Sequence, residues 1–205
     1  YPTGSSDFSS GLMKAKAGGA QVILPIFDMP QSGILVRQWN TMHIPALVAG
    51  FISPLAGPGA WDAFDGKIAG AINCIFEAGN VPVKKIPKSV EFYNKYREKY
   101  GKAIEAGHSP APAYEMVYML KDAIEKAKSI NGDKVVAALE ETDREGAMGR
   151  IKFGKDHQVI YGTDPAVEAL GVMIQWREPG KRVIVYPPSV AEGKIQLPEG
   201  LKSLK

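Results

Sequence analysis

Apolar positions in the first third of the chain alternate between helical and strand-like spacing. Asp7 or Ser6 can cap a helix over Phe8 to Ala17, and Gly18-Gly19 stops it. The run Val22-Ile23-Leu24-Pro25-Ile26-Phe27 predicts a short buried strand. Pro25 lacks an N–H, so that strand ends early or keeps a free edge there. The turn Asp28 to Gly33 leads into a second helix with Ile34, Leu35, Gln38 and Trp39 at helical spacing, ended by Pro45. Ala46 to Gly50 reads as another buried strand. A Pro/Gly-rich loop and an amphipathic turn with Trp61 and Phe64 then precede a third strand, Ala71 to Phe76. Helices between buried strands imply right-handed crossovers and a mostly parallel sheet, hence an α/β fold.

After Gly79 the pattern changes. Three helices follow with no strand between them: Pro87 to Tyr100, Ala111 to Lys128 and Asp133 to Glu141. The longest has a broad apolar face of Ala113, Tyr114, Val117, Leu120 and Ile124, expected to lie against a core. Such helices need a sheet to cover, and this stretch does not supply one. The expectation is a truncated chain whose missing part precedes Tyr1. Strands return at Arg150 to Phe153, Val172 to Trp176 and Val183 to Tyr186, the last two joined by a turn over Glu178 to Lys181. The Pro/Gly-spaced tail, Val190 to Lys205, is expected to run over the surface.

Composition narrows the chemistry. The 205 residues carry 25 Lys+Arg against 22 Asp+Glu with the signs interspersed, which argues against a nucleic-acid partner. The single cysteine, Cys74, excludes an intrachain disulfide framework and sits in an apolar run, where a buried inert thiol is expected. His43, His108 and His157 are far apart without ligand spacing, so no metal is expected. Neither a phosphate-cradling glycine loop nor a nucleophile elbow occurs, so neither a cofactor nor an enzyme is expected.

The strand-to-helix turns are more informative, because ligands of open α/β sheets bind beyond the carboxyl ends of the strands. Asp28 is the one charge between Val22 and Pro30. Two readings stay open: it caps the following helix, or it faces a cationic ligand group. Phe27 and Phe51 can wall a small-molecule pocket or simply pack in the core. In Gly107-His108-Ser109-Pro110-Ala111-Pro112, Ser109 can cap the long helix, or His108-Ser109 can offer a donor and an acceptor to a ligand.

Three stretches resemble one family: Ser6 to Leu12 with Val22 to Phe27, Gly33 and Arg37-Gln38; Phe92 to Gly101 with YEMVYMLKDAIEKA; and LEETDREGAMGRIKF closing at Gln175-Trp176. Together they resemble the C-terminal part of the type I periplasmic solute-binding proteins of ABC transporters, branched-chain amino-acid (Leu/Ile/Val) class. The resemblance implies a two-lobed fold with mostly parallel doubly wound sheets, present as a C-terminal fragment. Residues 1–76 would belong to the second lobe, 77–171 to the returned first lobe and 172–205 to the crossing back and tail. Phe76 to Asn80 and Val172 to Trp176 would be hinge strands.

The same resemblance implies a receptor that holds an amino acid or similar small polar solute between its lobes and delivers it to a membrane permease. It would sit in the periplasm or be anchored outside the membrane. The implied ligand-binding residues are Phe27, Asp28, Phe51, Ile52, His108 and Ser109. Relatives commonly present a carboxylate for the ligand's ammonium where Phe51-Ile52 stand here, and no acid stands there. A ligand-sensing domain of a regulator and an α/β hydrolase fragment are the alternative readings.

Overall fold

The computed structural model describes residues 1–203 and divides into two compact units. The last two residues of the expected surface tail, 204 and 205, lie outside the described residues. Unit 1 comprises Tyr1–Ile75, Met173–Pro187 and Ala191–Lys205, and unit 2 comprises Phe76–Val172 and Pro188–Val190.

Unit 1 begins with α1 (Ser9–Ala17), where the Asp7 carboxylate accepts the Ser9 N–H at 2.9 Å. Its strands are β1 (Val22–Ile23), β2 (Ile26–Phe27), β3 (Leu47–Ile52) and β4 (Ile72–Ile75), with α2 (Ser32–Thr41) and the single turn α3 (Ala60–Ala63) in the crossovers. β1 and β2 pair in parallel with β3, which pairs in parallel with β4. Two later strands, β7 (Val172–Arg177) and β8 (Lys181–Tyr186), form an antiparallel hairpin and complete the order β1-β3-β4-β7-β8. β3, with strands on both sides, is buried along nearly its whole length, as its continuous apolar run requires.

The expected buried strand over Val22 to Phe27 is instead two dipeptides broken at Leu24-Pro25. It pairs on one side only, and period-2 alternation leaves Val22, Leu24 and Ile26 exposed. At the break the chain bends onto β3, and the Pro25 carbonyl accepts the Phe51 N–H at 3.0 Å. A Cβ at Gly50 would lie 2.0 Å from that carbonyl oxygen, so only glycine fits there. Cys74, expected to be buried, is half-buried. The tail is also tied more firmly than expected. Buried Gln175 accepts the Gln196 N–H and donates to the Gln196 carbonyl, at 2.9 and 2.7 Å.

Unit 2 contains α4 (Pro87–Tyr100), α5 (Pro110–Ala127) and α6 (Gly132–Glu140), followed by the hairpin of β5 (Asp143–Gly146) and β6 (Gly149–Lys152). Sequence periodicity misses β5 because its residues are charged. Cross-strand pairs of Asp143 with Arg150 and Lys152 hold it instead. The segment Phe76 to Asn80, expected as a hinge strand, contains a single 3-10 turn over Ala78–Asn80. The core gathers Phe92, Tyr93, Ile104, Met119, Met148 and Ile151.

The orientation of α5 also departs from expectation. Its buried stripe is Ala111, Glu115, Met119 and Ala123, while Tyr114, Val117 and Leu120 are exposed, Val117 by 64%. Glu115 explains this. Its carboxylate accepts the Ala147 N–H at 2.6 Å and Arg144 Nε at 2.9 Å, which turns its stripe toward the hairpin. Among the described residues of unit 2 the hairpin is the only regular sheet, and it does not cover the apolar face of α5.

Two stability predictions follow from these close contacts. Gly50→Ala forces Pro25 away from β3 and should cost about 1–3 kcal/mol, the usual range for overpacking, in urea unfolding. Glu115→Ala strands the Ala147 N–H and leaves the Arg144 guanidinium with Asp122 as its one ion-pair partner among the described residues. The loss should be about 3 kcal/mol, the low end for breaking a buried pair, because Arg144 keeps partial access to water.

Candidate functional site

In unit 1 the parallel register sets Phe27 opposite Ile52, so β2 and β3 end at the same edge of the sheet. The chain leaves that edge through Asp28 and through the 3-10 turn Ser53–Leu55. Phe51 and Ile52 are core residues, whereas Phe27 is half-buried and its ring lies 5.9 Å from that of Phe8. The end of β3 is fixed by Asn73, whose Oδ1 accepts the Ile52 N–H at 2.7 Å. That bond sets the amide orientation and leaves buried Asn73 Nδ2 without a hydrogen-bond partner in the structure.

Asp28 is exposed, and its carboxylate makes no hydrogen bond or ion pair among the described residues. α2 starts at Ser32 with Gln31 at the cap position and no side-chain cap. Of the two readings of Asp28, helix capping therefore fails. A separate cavity of about 950 Å³ lies at the opposite edge of unit 1, between the segments that precede β3 and β4. It is lined by Trp39, His43, Arg177 and the tail residue Pro198, and by none of the residues expected to bind a ligand.

In unit 2 the structure builds a cluster around His108-Ser109. Ser109 stands at the N-cap of α5 with φ +83°, a strained value for a residue with a Cβ. Its hydroxyl does not cap the helix but pairs with His108 Nδ1 at 2.7 Å. Pro110 and Pro112 lack N–H groups, so the first turn of α5 has few donors to satisfy. The Ala111 N–H goes to Asn80 Oδ1 at 2.9 Å and the Ala113 N–H to the Ser109 carbonyl. Asn80, wholly buried, donates from Nδ2 to Glu77 Oε2 at 2.7 Å, and the same oxygen accepts the Ser109 N–H at 3.3 Å.

Two aromatic residues of the same unit are Phe76, next to Glu77 in sequence, and Tyr161. The Phe76 ring lies 6.3 Å from that of His108, and the Phe76 N–H donates to the Gly107 carbonyl at 2.8 Å. Burial raises the Glu77 carboxyl above its ordinary range, outweighing the bonds from Ser109 and Asn80 and the field of His108. Burial also pushes the Tyr161 phenol up to about 12, helped by the Glu77 charge.

Sequence reasoning singled out His108 and Ser109 but missed Asn73, Glu77, Asn80 and Tyr161. Glu77 had a readable signal, since one charge between Ile75-Phe76 and Ala78-Gly79 repeats the feature that marked Asp28. Phe27, Asp28, Phe51 and Ile52 fall together at one edge of unit 1, and His108 and Ser109 fall in one cluster of unit 2.

Comparison with known proteins matches residues 1–164 to a family described as periplasmic binding protein. A Leu/Ile/Val-binding protein homolog 7 from Brucella suis is 29% identical over 209 residues, covering 97% of this chain and 49% of the relative. Among solved structures, the branched-chain amino acid transporter substrate binding protein LivJ from Streptococcus pneumoniae, in complex with isoleucine, matches with TM-score 0.66 and 22% identity. That match covers 91% of this chain and 51% of the other. An ABC transporter solute binding protein from R. palustris, in complex with benzoate, matches with TM-score 0.67 and 10% identity, over 90% of this chain and 48% of the other. The chain belongs to the periplasmic binding protein family and spans about half the length of the curated relatives it matches. Its named relatives are binding proteins, not enzymes.

The absence of a cap at Asp28 has a measurable consequence. Asp28→Ala should shift unfolding free energy by no more than about 0.5 kcal/mol, the range of an unengaged surface site, and not by the ~1 kcal/mol of a lost cap. Chemical denaturation separates the two values.

Proposed function

We propose that this member of the periplasmic binding protein family is the C-terminal part of an extracytoplasmic receptor that captures an amino acid or similar small polar solute. Two lobes close over the solute, and the receptor delivers it to the permease of an ABC importer. The observation that carries this reading is the paired carboxyl edge of β2 and β3, where Phe27 and Ile52 are in register and the Asp28 carboxylate makes no bond among the described residues. Polar groups held without structural work at that edge are available to a ligand.

On this reading unit 1 contributes Phe27, Asp28, Phe51 and Ile52, with Asp28 at the rim and Phe51-Ile52 as the apolar floor. Unit 2 contributes His108 and Ser109. Residues 1–76 form part of the second lobe, 77–171 return to the first, and 172–205 cross back, with hinges near Phe76 to Asn80 and Val172 to Trp176. The exposed Tyr114, Val117 and Leu120 face of α5 is then the surface against which the rest of the first lobe packs. Exposed apolar area on a helix whose opposite stripe is already buried supports this. The receptor works in the periplasm or anchored outside the membrane. Isoleucine and benzoate, bound by two similar structures, mark the size class of the solute.

Calorimetric titration of the full-length protein with L-isoleucine and with benzoate tests the proposal. Saturable binding of at least one is expected. Asp28→Asn should weaken binding of the amine-bearing solute about tenfold, the equivalent of ~1.4 kcal/mol, and leave the amine-free one unchanged or tighter. Binding of neither solute would overturn the choice of ligand class.

A further inference from the structure

Resting on that reading, we propose that Glu77 is the principal acceptor for a protonated amine of the solute, its Oε1 oxygen reserved for that group. The two carboxylate oxygens of Glu77 have different duties. Oε2 takes both bonds from the protein, from Asn80 Nδ2 and the Ser109 N–H. Oε1 accepts no hydrogen bond among the described residues, although an ionised carboxylate can accept several.

A carboxylate used only to hold the Ser109 loop would not need its second oxygen left unengaged at a half-buried position. An amide at residue 77 would accept the same two bonds through its one carbonyl oxygen, without a desolvated charge. Retaining the charge therefore points to a partner that requires it.

The surroundings select the class of that partner. An anionic ligand group would be repelled by Glu77 itself. A divalent cation would want several carboxylate or imidazole ligands, and no group of three or more His, Cys, Asp or Glu suited to a metal occurs among the described residues. An organic ammonium remains, and it gains a charge-assisted hydrogen bond from the unengaged Oε1.

L-isoleucine and 3-methylpentanoate, the same skeleton without the amine, test this on the full-length protein. Calorimetry of wild type and Glu77→Gln should show isoleucine affinity falling at least about tenfold in the variant, the effect of truncating one member of a charged pair. The 3-methylpentanoate affinity should be unchanged or improved, and the thermal midpoint equal or raised, since a desolvated charge has gone. Isoleucine affinity within about twofold of wild type would overturn the proposal. So would equal loss of both ligands together with a lowered midpoint, which would make Glu77 a prop for the loop. If wild type binds neither of these compounds nor benzoate, the functional reading fails and takes this inference with it; binding of benzoate alone leaves that reading standing and overturns this inference. Should Glu77→Gln not fold, Glu77→Asp, which keeps the charge but withdraws it by one methylene, carries the same comparison.

Discussion

The buried side chain of Asn80 is the constraint on which the candidate site of unit 2 depends. Its carbonyl accepts the one N–H that the Pro110-Ala111-Pro112 start of α5 leaves unmet, and its amino group donates to Glu77. The two partners have opposite polarity, so the amide cannot be turned over without losing both bonds. Through Glu77 the same side chain reaches the Ser109 N–H and stabilises a backbone value that serine otherwise avoids. Helix start, loop conformation and carboxylate position are thus one linked arrangement. The carboxylate carries a stability cost. An acid whose pKa is raised on folding binds its proton more tightly folded than unfolded. Its ionisation therefore detracts from stability at neutral pH, and the loss is recovered as pH falls into the carboxylate range.

In unit 1 the corresponding constraint is steric. Pro25 cannot donate to a ladder, so the edge strand breaks, and its carbonyl crosses β3 where Gly50 has no Cβ. That crossing lets β2 resume in register with the end of β3 and brings Phe27 level with Ile52. The edge at which Asp28 emerges is set by these two residues.

Most elements were legible because apolar periodicity and Pro/Gly punctuation are local signals. β3 reads directly from its unbroken apolar run, α4 from Pro87 and Gly101. Three features were hidden for physical reasons. β5 is held by cross-strand ion pairs, so it lacks the alternation of a half-buried strand. α5 turns its Glu115 stripe inward because of two tertiary bonds, and no helical-wheel argument buries a glutamate before an apolar face. The roles of Asn73 and Asn80 depend on partners far away in sequence, at Ile52 and Ala111. Asp28, His108 and Ser109 could be marked as candidates, yet only the geometry separates an unengaged carboxylate from a helix cap.

The central claim is the location of the solute, and hydrogen–deuterium exchange of the full-length protein with and without saturating L-isoleucine tests it most directly. Added protection is expected in four segments: Phe27 to Met29, Phe51 to Ser53, and the linked pair Phe76 to Asn80 with Gly107 to Ala111. Protection gathered instead around Trp39, His43 and Arg177, at the cavity on the opposite edge of unit 1, would contradict the account.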